Sequence, residues 1–95
     1  MKSEHAVDPL IQLLSDEDSG WMAAIALGKI GLEKAVKPLV RLLDEKDIQK
    51  CRAVAWALEK IPSRKSVKAL QKALKDEDEE VRMWAKFALE NITTK

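Results

Sequence analysis

Residues 53–61 read Ala53-Val54-Ala55-Trp56-Ala57-Leu58-Glu59-Lys60-Ile61, and versions of this stretch lie on either side of it. Upstream it returns as AAIALGKI (Ala23 to Ile30), downstream as WAKFALENI (Trp84 to Ile92). The pattern Ala-Leu-x-x-Ile falls at 26–30, 57–61 and 88–92, a spacing of 31 residues both times. A fixed period of that length marks a tandem helical repeat.

Working outward from the pattern divides the chain into three units, Ala6 to Lys34, Ala35 to Lys65 and Ser66 to Lys95. Each opens with apolar residues at helical spacing: Val7, Leu10, Ile11, Leu13 and Leu14; Val36, Leu39, Val40, Leu42 and Leu43; Val67, Leu70, Ala73 and Leu74. The pattern does not alternate strictly, and the third copy is rich in Ala, Lys and Gln, so these segments read as helices, the A helices. Pro9 and Pro38 share a slot near the expected start of an A helix, where a missing N–H costs least, and Ala69 takes it in the third unit.

An acidic turn follows each A helix, at 15–18, 44–47 and 76–80. Asp16, Asp47 and Asp78 each lie ten residues before the pattern's first alanine and are placed to cap the next helix, with further carboxylates at the positive end of its dipole. The first unit is two residues short. The shortage falls either in the turn between Leu14 and Asp16 or in the opening of the helix, with Asp18 as the cap. The B helices are expected over about 17–30, 48–61 and 79–92, with Gly31 ending the first and Pro62 stopping the second. An A helix of about ten residues is below the length at which an isolated helix is even marginal in water, so stacking must supply the stability.

Composition agrees. Ninety-five residues, 46% of them apolar, with three glycines and three prolines, make one small ordered domain spanning 1–95. Net charge is +1, so no global field recruits nucleic acid or an anionic membrane. Cys51 is the only cysteine, which excludes an intrachain disulfide or a cysteine-based metal site and fits a reducing compartment. The polar start Met1-Lys2-Ser3-Glu4-His5 lacks a signal peptide's apolar run, and no stretch approaches the roughly 18 apolar residues of a membrane span, so the expected location is the cytoplasm.

The run Ala6-Val7-Asp8-Pro9-Leu10-Ile11-Gln12-Leu13-Leu14, then Asp16-Glu17-Asp18 and Ala26-Leu27-Gly28-Lys29-Ile30-Gly31, resembles the HEAT-like repeat of the phycobilisome-lyase type, and Ala35 to Leu43 restarts it. The resemblance covers nearly the whole chain and implies an all-α fold, a short right-handed α-solenoid of three HEAT-like helix pairs. The family's Val-Arg pair early in helix B survives as Val81-Arg82, whereas the corresponding slots hold Ser19-Gly20 and Lys50-Cys51. Its acidic residue at the start of helix A is Ser3, Leu32 and Ser63 here, of which the two serines can cap.

At 100° per residue, Val81, Ala85, Ala88 and Ile92 share the face of the third B helix that should meet helix A. Met83 and Phe87 fall nearly opposite, with Trp84 on the flank. The matching slots are Trp21, Ile25 and Met22 in the first unit, and Arg52, Trp56 and Ala53 in the second. A B helix with one buried face would leave these slots solvated, yet they hold all three tryptophans, the only phenylalanine and two of the three methionines. The resemblance implies that B helices line a concave surface and that these are its variable binding positions. One reading is a partner-binding groove formed by Trp21, Met22, Ile25, Arg52, Trp56, Met83, Trp84 and Phe87, accepting a protein partner or a second copy. Four aromatics at about 150–250 Å² each approach the roughly 800 Å² per partner of a standard interface. The competing reading is burial between neighbouring B helices.

No glycine-rich phosphate loop or nucleophile motif is present, and neither His5 nor Cys51 belongs to a ligand-spaced motif. His5 reads as a frayed terminal residue and the carboxylate clusters as caps and solubilising charge. The expectation is a non-enzymatic interaction scaffold without catalytic residue, cofactor or metal. The alternative is a nucleic-acid-binding module: Lys29, Lys34, Lys37, Arg41, Lys60, Arg64, Lys65, Lys68, Lys72 and Lys75 gather on the A helices and the B-to-A turns, where Lys34, Lys37, Lys65 and Lys68 would contact phosphates.

Overall fold

The computed structural model of the chain describes residues 4–93, with side chains from Val7 onward. Six α-helices follow in order: α1 (Glu4–Leu13), α2 (Gly20–Ile30), α3 (Val36–Leu42), α4 (Ile48–Lys60), α5 (Val67–Ala73) and α6 (Glu79–Thr93). One turn of 3-10 helix precedes α3 (Glu33–Ala35) and another precedes α5 (Arg64–Ser66). Helices α1, α3 and α5 pack on α2, α4 and α6 respectively, while α4 lies between α2 and α6. The result is a short all-α solenoid in which the B helices form a continuous layer. None of these helices is long and apolar enough to cross a membrane.

The A segments are equivalent in length. The 3-10 turn and helix together cover 33–42 and 64–73, matching the ten residues of α1. In the first unit the opening turn is α-helical, so Pro9 sits inside α1, one turn deeper than expected, whereas Pro38 lies in the first turn of α3 as the missing donor favours. Ser63 caps as expected: its Oγ accepts from Lys65 N–H at 3.2 Å and donates to Glu33 Oε2 at 3.0 Å. Leu32 precedes its turn without a side-chain cap. Ser3 lies outside the described residues, as does the side chain of His5.

All three acidic turns use the same bond. The carboxylates of Asp16, Asp47 and Asp78 accept the N–H three residues on, from Ser19 at 2.8 Å, Lys50 at 3.1 Å and Val81 at 3.0 Å. Helices α4 and α6 begin where expected. Helix α2 begins at Gly20 instead of 17, because Asp16 draws the N–H groups of both Asp18 and Ser19 into a tight turn, and Asp18 is not the cap. Gly31 closes α2 with φ 76°, its N–H reaching Leu27 C=O at 3.0 Å.

Val7, Leu27, Leu39, Leu58, Leu70, Val36, Val54 and Val81 are fully buried and form the core between the layers. Alanines 24, 55, 57, 85 and 88 are also fully buried, keeping the B helices close. Leu13 and Leu74 depart from expectation. Both belong to apolar A-helix stripes yet are exposed, at 42% and 40%, whereas Leu42 and Ala73, in the slot of Leu13, are buried.

Candidate protein-interaction surface

The slot beside the Val of the Val-Arg pair has one structural job in every unit. Arg82 Nη1 donates to the carbonyl of Asp76, six residues earlier, and to that of Glu77 at 2.9 Å. Cys51 Sγ donates at 3.0 Å to the carbonyl of Glu45, also six residues earlier, with Leu42 and Leu43 C=O close by. In the first unit Gly20 stands against Leu14 C=O, so close that a Cβ would lie 2.5 Å from the oxygen. The three residues therefore settle the free carbonyls at the end of helix A by donation or by making room. Cys51 is a structural thiol: burial, with Asp76, Asp47, Glu45 and Asp44 adding repulsion, pushes its pKa up to about 11.

Gly20 also makes room for Lys50, which occupies the Val81 slot and is only 4% exposed. Its stem runs along Gly20 and its Nζ reaches Glu45 Oε1 at 3.5 Å. The second glycine of α2 marks a close crossing in the B layer. A Cβ on Gly28 would fall 2.9 Å from both Ala57 Cα and Trp56 Cζ3, so the Trp56 indole lies directly over the Gly28 backbone. Lys60 Nζ stands 5.4 Å from the centre of the Trp56 ring, within cation–π range, and pairs with Glu59 at 3.2 Å. Asn91 reaches across from α6, its Nδ2 donating to Glu59 C=O at 3.2 Å and to the Glu59 carboxylate.

The expected binding slots therefore divide. Trp21, Ile25 and Trp56 are half-buried and packed on the core, Trp84 is half-buried, and Met22, Met83 and Phe87 are exposed. Burial between B helices thus claims part of the stripe, because small residues such as Gly28 let a neighbouring ring settle onto the backbone. What remains together is a patch on α6, where Phe87 meets Trp84 edge to face, with ring centroids 5.9 Å apart, beside Met83. Arg52, exposed in its slot, makes a two-pronged bond to Asp78 at 2.9 and 2.7 Å, tying the second unit to the cap of the third. That bond holds the Asp78 carboxyl down at about 2.

Two features escape a sequence reading of the stripe. The burial of Lys50 was signalled only by its alignment with Val81, and the tight crossing at Gly28 only by glycine where Glu59 and Glu90 stand in the other units. A cleft of about 860 Å³ also opens between the acidic turns of the second and third units, with Leu43, Ile48, Ala73, Asp44 and Glu77 among its lining residues. Among the described residues no group of three or more His, Cys, Asp or Glu side chains is arranged to hold a metal ion.

The basic rim is partly neutralised between neighbouring A segments. Lys34 pairs with Asp8 at 2.9 Å, Lys72 with Asp44 at 2.9 Å and Lys65 with Glu33 at 3.8 Å. These exposed pairs align neighbouring A segments and contribute little stability each.

A comparison with curated proteins returned no match. The profile of the family described as HEAT repeats matches residues 1–59 and 47–95, which together span the chain. Such repeats generally mediate protein–protein interaction. Helix pairs stacked through a shared B layer, matched along their full length, lead to one conclusion: the chain belongs to the HEAT-repeat family.

Proposed function

We propose that this protein is a non-enzymatic interaction module whose B-helix surface, centred on Met83, Trp84 and Phe87 and continued by Arg52, Trp56, Trp21, Ile25 and Met22, receives a protein partner. The observation that carries the reading is the α6 patch: Met83 and Phe87 are exposed beside the half-buried Trp84 on the layer made by the B helices. Large apolar side chains in open slots lose energy to water unless covered, and aromatic anchors flanked by methionine are the usual centres of binding energy. Arg52 is already held in place by Asp78, so its side chain needs no further ordering on binding.

Site-specific photo-crosslinking in cells tests the proposal, with a benzophenone amino acid placed at Met83, at Phe87 and, on an A helix, at Lys37. Probes at 83 and 87 are expected to capture a discrete protein that the probe at 37 does not. Phe87→Glu should abolish capture from 83. The same adducts from all three positions, or none from α6, would refute the proposal.

A further inference from the structure

The two junctions between units share their slots but fill them differently. Lys50, Gly20, Leu14 and Glu45 at the first junction correspond to Val81, Cys51, Leu43 and Asp76 at the second. At the first, the end of the Lys50 chain lies against Gly20: a Cβ there would meet Lys50 Cε at 2.7 Å, its Nζ at 3.0 Å and Leu14 C=O at 2.5 Å. The ammonium reaches Glu45 Oε1 at 3.5 Å. The gap between the end of helix A and the next unit's acidic turn is thus closed by an aliphatic stem that ends in a cation.

At the second junction Val81 is too short to do this, and the neighbouring slots shrink as well, since Pro38 and Leu42 become Ala69 and Ala73. What is left is the cleft of about 860 Å³, with Leu43, Cys51, Ala69, Ala73, Asp76 and Val81 among its lining residues. That volume falls in the range of about 300–1,000 Å³ typical of ligand sites. The cleft lies at the edge where A helices end and B helices begin, whereas Glu4 and Thr93 stand at the other edge. Ile48, also in its lining, is 55% exposed.

Charge selects the ligand. Of the carboxylates lining the cleft, Asp44 is taken by Lys72, Glu45 by Lys50 and Asp78 by Arg52, while Asp76 and Glu77 have no ion-pair partner among the described residues. Asp76 Oδ1 accepts the N–H of Asp78 at 2.8 Å, which leaves Oδ2 to accept from a ligand. Lys46 and Lys75 line the cleft too. Even so, the charges that add to burial in raising the Cys51 pKa are all carboxylates, Asp76 foremost, then Asp47, Glu45 and Asp44. The Cys51 wall therefore faces a negative field, which a cation relieves and an anion aggravates.

We infer that the cleft between the second and third units is a docking site for a lysine side chain of a partner protein, its stem against Leu43, Ala69 and Ala73 and its ammonium at Asp76 and Glu77. It repeats between molecules what Lys50 does within the chain at the first junction. Ile48 meets an apolar residue beside that lysine. The choice of a protein as the source rests on the reading of the chain as an interaction module, but the site shares no residue with the B-helix surface, so either can fail without the other.

A ¹H–¹⁵N NMR titration of the full chain with the peptide acetyl-Gly-Leu-Lys-Leu-Gly-amide is the test. Amides of Leu43, Ile48, Ala73 and Val81 should shift and saturate at about millimolar peptide, the range expected of one anchored side chain, while those of Met83 and Phe87 stay in place. Norleucine for lysine keeps the stem and removes the ammonium, and should weaken binding about tenfold. Asp76→Asn with Glu77→Gln should do the same, the asparagine still accepting the Asp78 N–H. Ala73→Leu, which copies Leu42 of the first junction and whose folding is checked by circular dichroism, should abolish binding. No shift at about 5 mM peptide overturns the inference, as does equal binding by the norleucine peptide or by both variant chains. Shifts confined to Met83 and Phe87 would overturn it in favour of the B-helix surface, and butylammonium binding as tightly as the peptide would overturn the assignment to a partner protein.

Discussion

Gly28→Ala is the substitution that most directly questions how α2 and α4 pack. Inside a helix, replacing glycine by alanine gains about 1 kcal/mol when nothing else changes. Here the new methyl would stand 2.9 Å from Ala57 Cα, 2.9 Å from Trp56 Cζ3 and 3.0 Å from Ala57 Cβ. Carbon atoms settle at about 3.5–4.0 Å, so these contacts are short by half an ångström or more, and one of the partners is main chain. Relief requires α2 and α4 to move apart, or the Trp56 indole to swing off the Gly28 backbone while the contact with Ala57 persists. Overpacking of this kind costs about 1–3 kcal/mol, and uncovering even ~50 Å² of apolar surface adds about 1 kcal/mol. The cost exceeds the propensity gain, leaving a net loss of about 1–3 kcal/mol, each kcal/mol lowering Tm by about 4–8 °C for a domain of this size. Thermal unfolding followed by circular dichroism checks the magnitude, and a red shift of tryptophan emission checks the displacement of Trp56. An increase in Tm would refute the reasoning, because it would mean that the B helices separate at no cost and that propensity alone governs position 28.

The other expectations concern Lys50, Cys51 and the Arg52–Asp78 bond. Lys50→Met should leave stability unchanged or raise it by about 1 kcal/mol, since an apolar chain of similar length replaces a buried ammonium held by one long ion pair, whereas Lys50→Ala should lower it; urea midpoints decide. Cys51, with its pKa raised to about 11, should react with a thiol reagent near pH 8 far more slowly in the folded chain than in urea, and equal rates would show that the thiol is open. For Asp78, folding lowers the pKa from 3.8 to about 2, so its contribution is complete above 3.8 and is lost as pH falls through about 2. Arg52→Gln should accordingly be less stable than the wild type at neutral pH, with the difference closing toward pH 2 in parallel urea titrations.

Much of this fold was legible in the chain because its determinants are local. The period of 31 residues placed the B helices, and Asp47 and Asp78 marked the entries of α4 and α6, because a cap needs only a carboxylate three residues before an N–H, whereas Asp16 makes that bond in the turn ahead of α2. Gly31 announced the left-handed residue that ends α2. Where local signals compete, the elements depart from the expected bounds: the Asp16 turn delays α2 to Gly20, and the helical opening of α1 draws Pro9 inside it.

The candidate surface was legible only in outline. Helical periodicity grouped Trp21, Trp56, Met83 and Phe87 on one side of the B helices, but it could not say which of them would find cover. That depended on residues far away in sequence: Gly28 gives Trp56 a backbone to rest on, Gly20 gives Lys50 a channel, and Asp78 holds Arg52. By itself, then, the sequence determined the repeat, its helices and their caps, all set by interactions within a few residues. Only the tertiary structure decided which side of each unit is stacked and which stands open, because burial belongs to pairs of surfaces and not to any one helix.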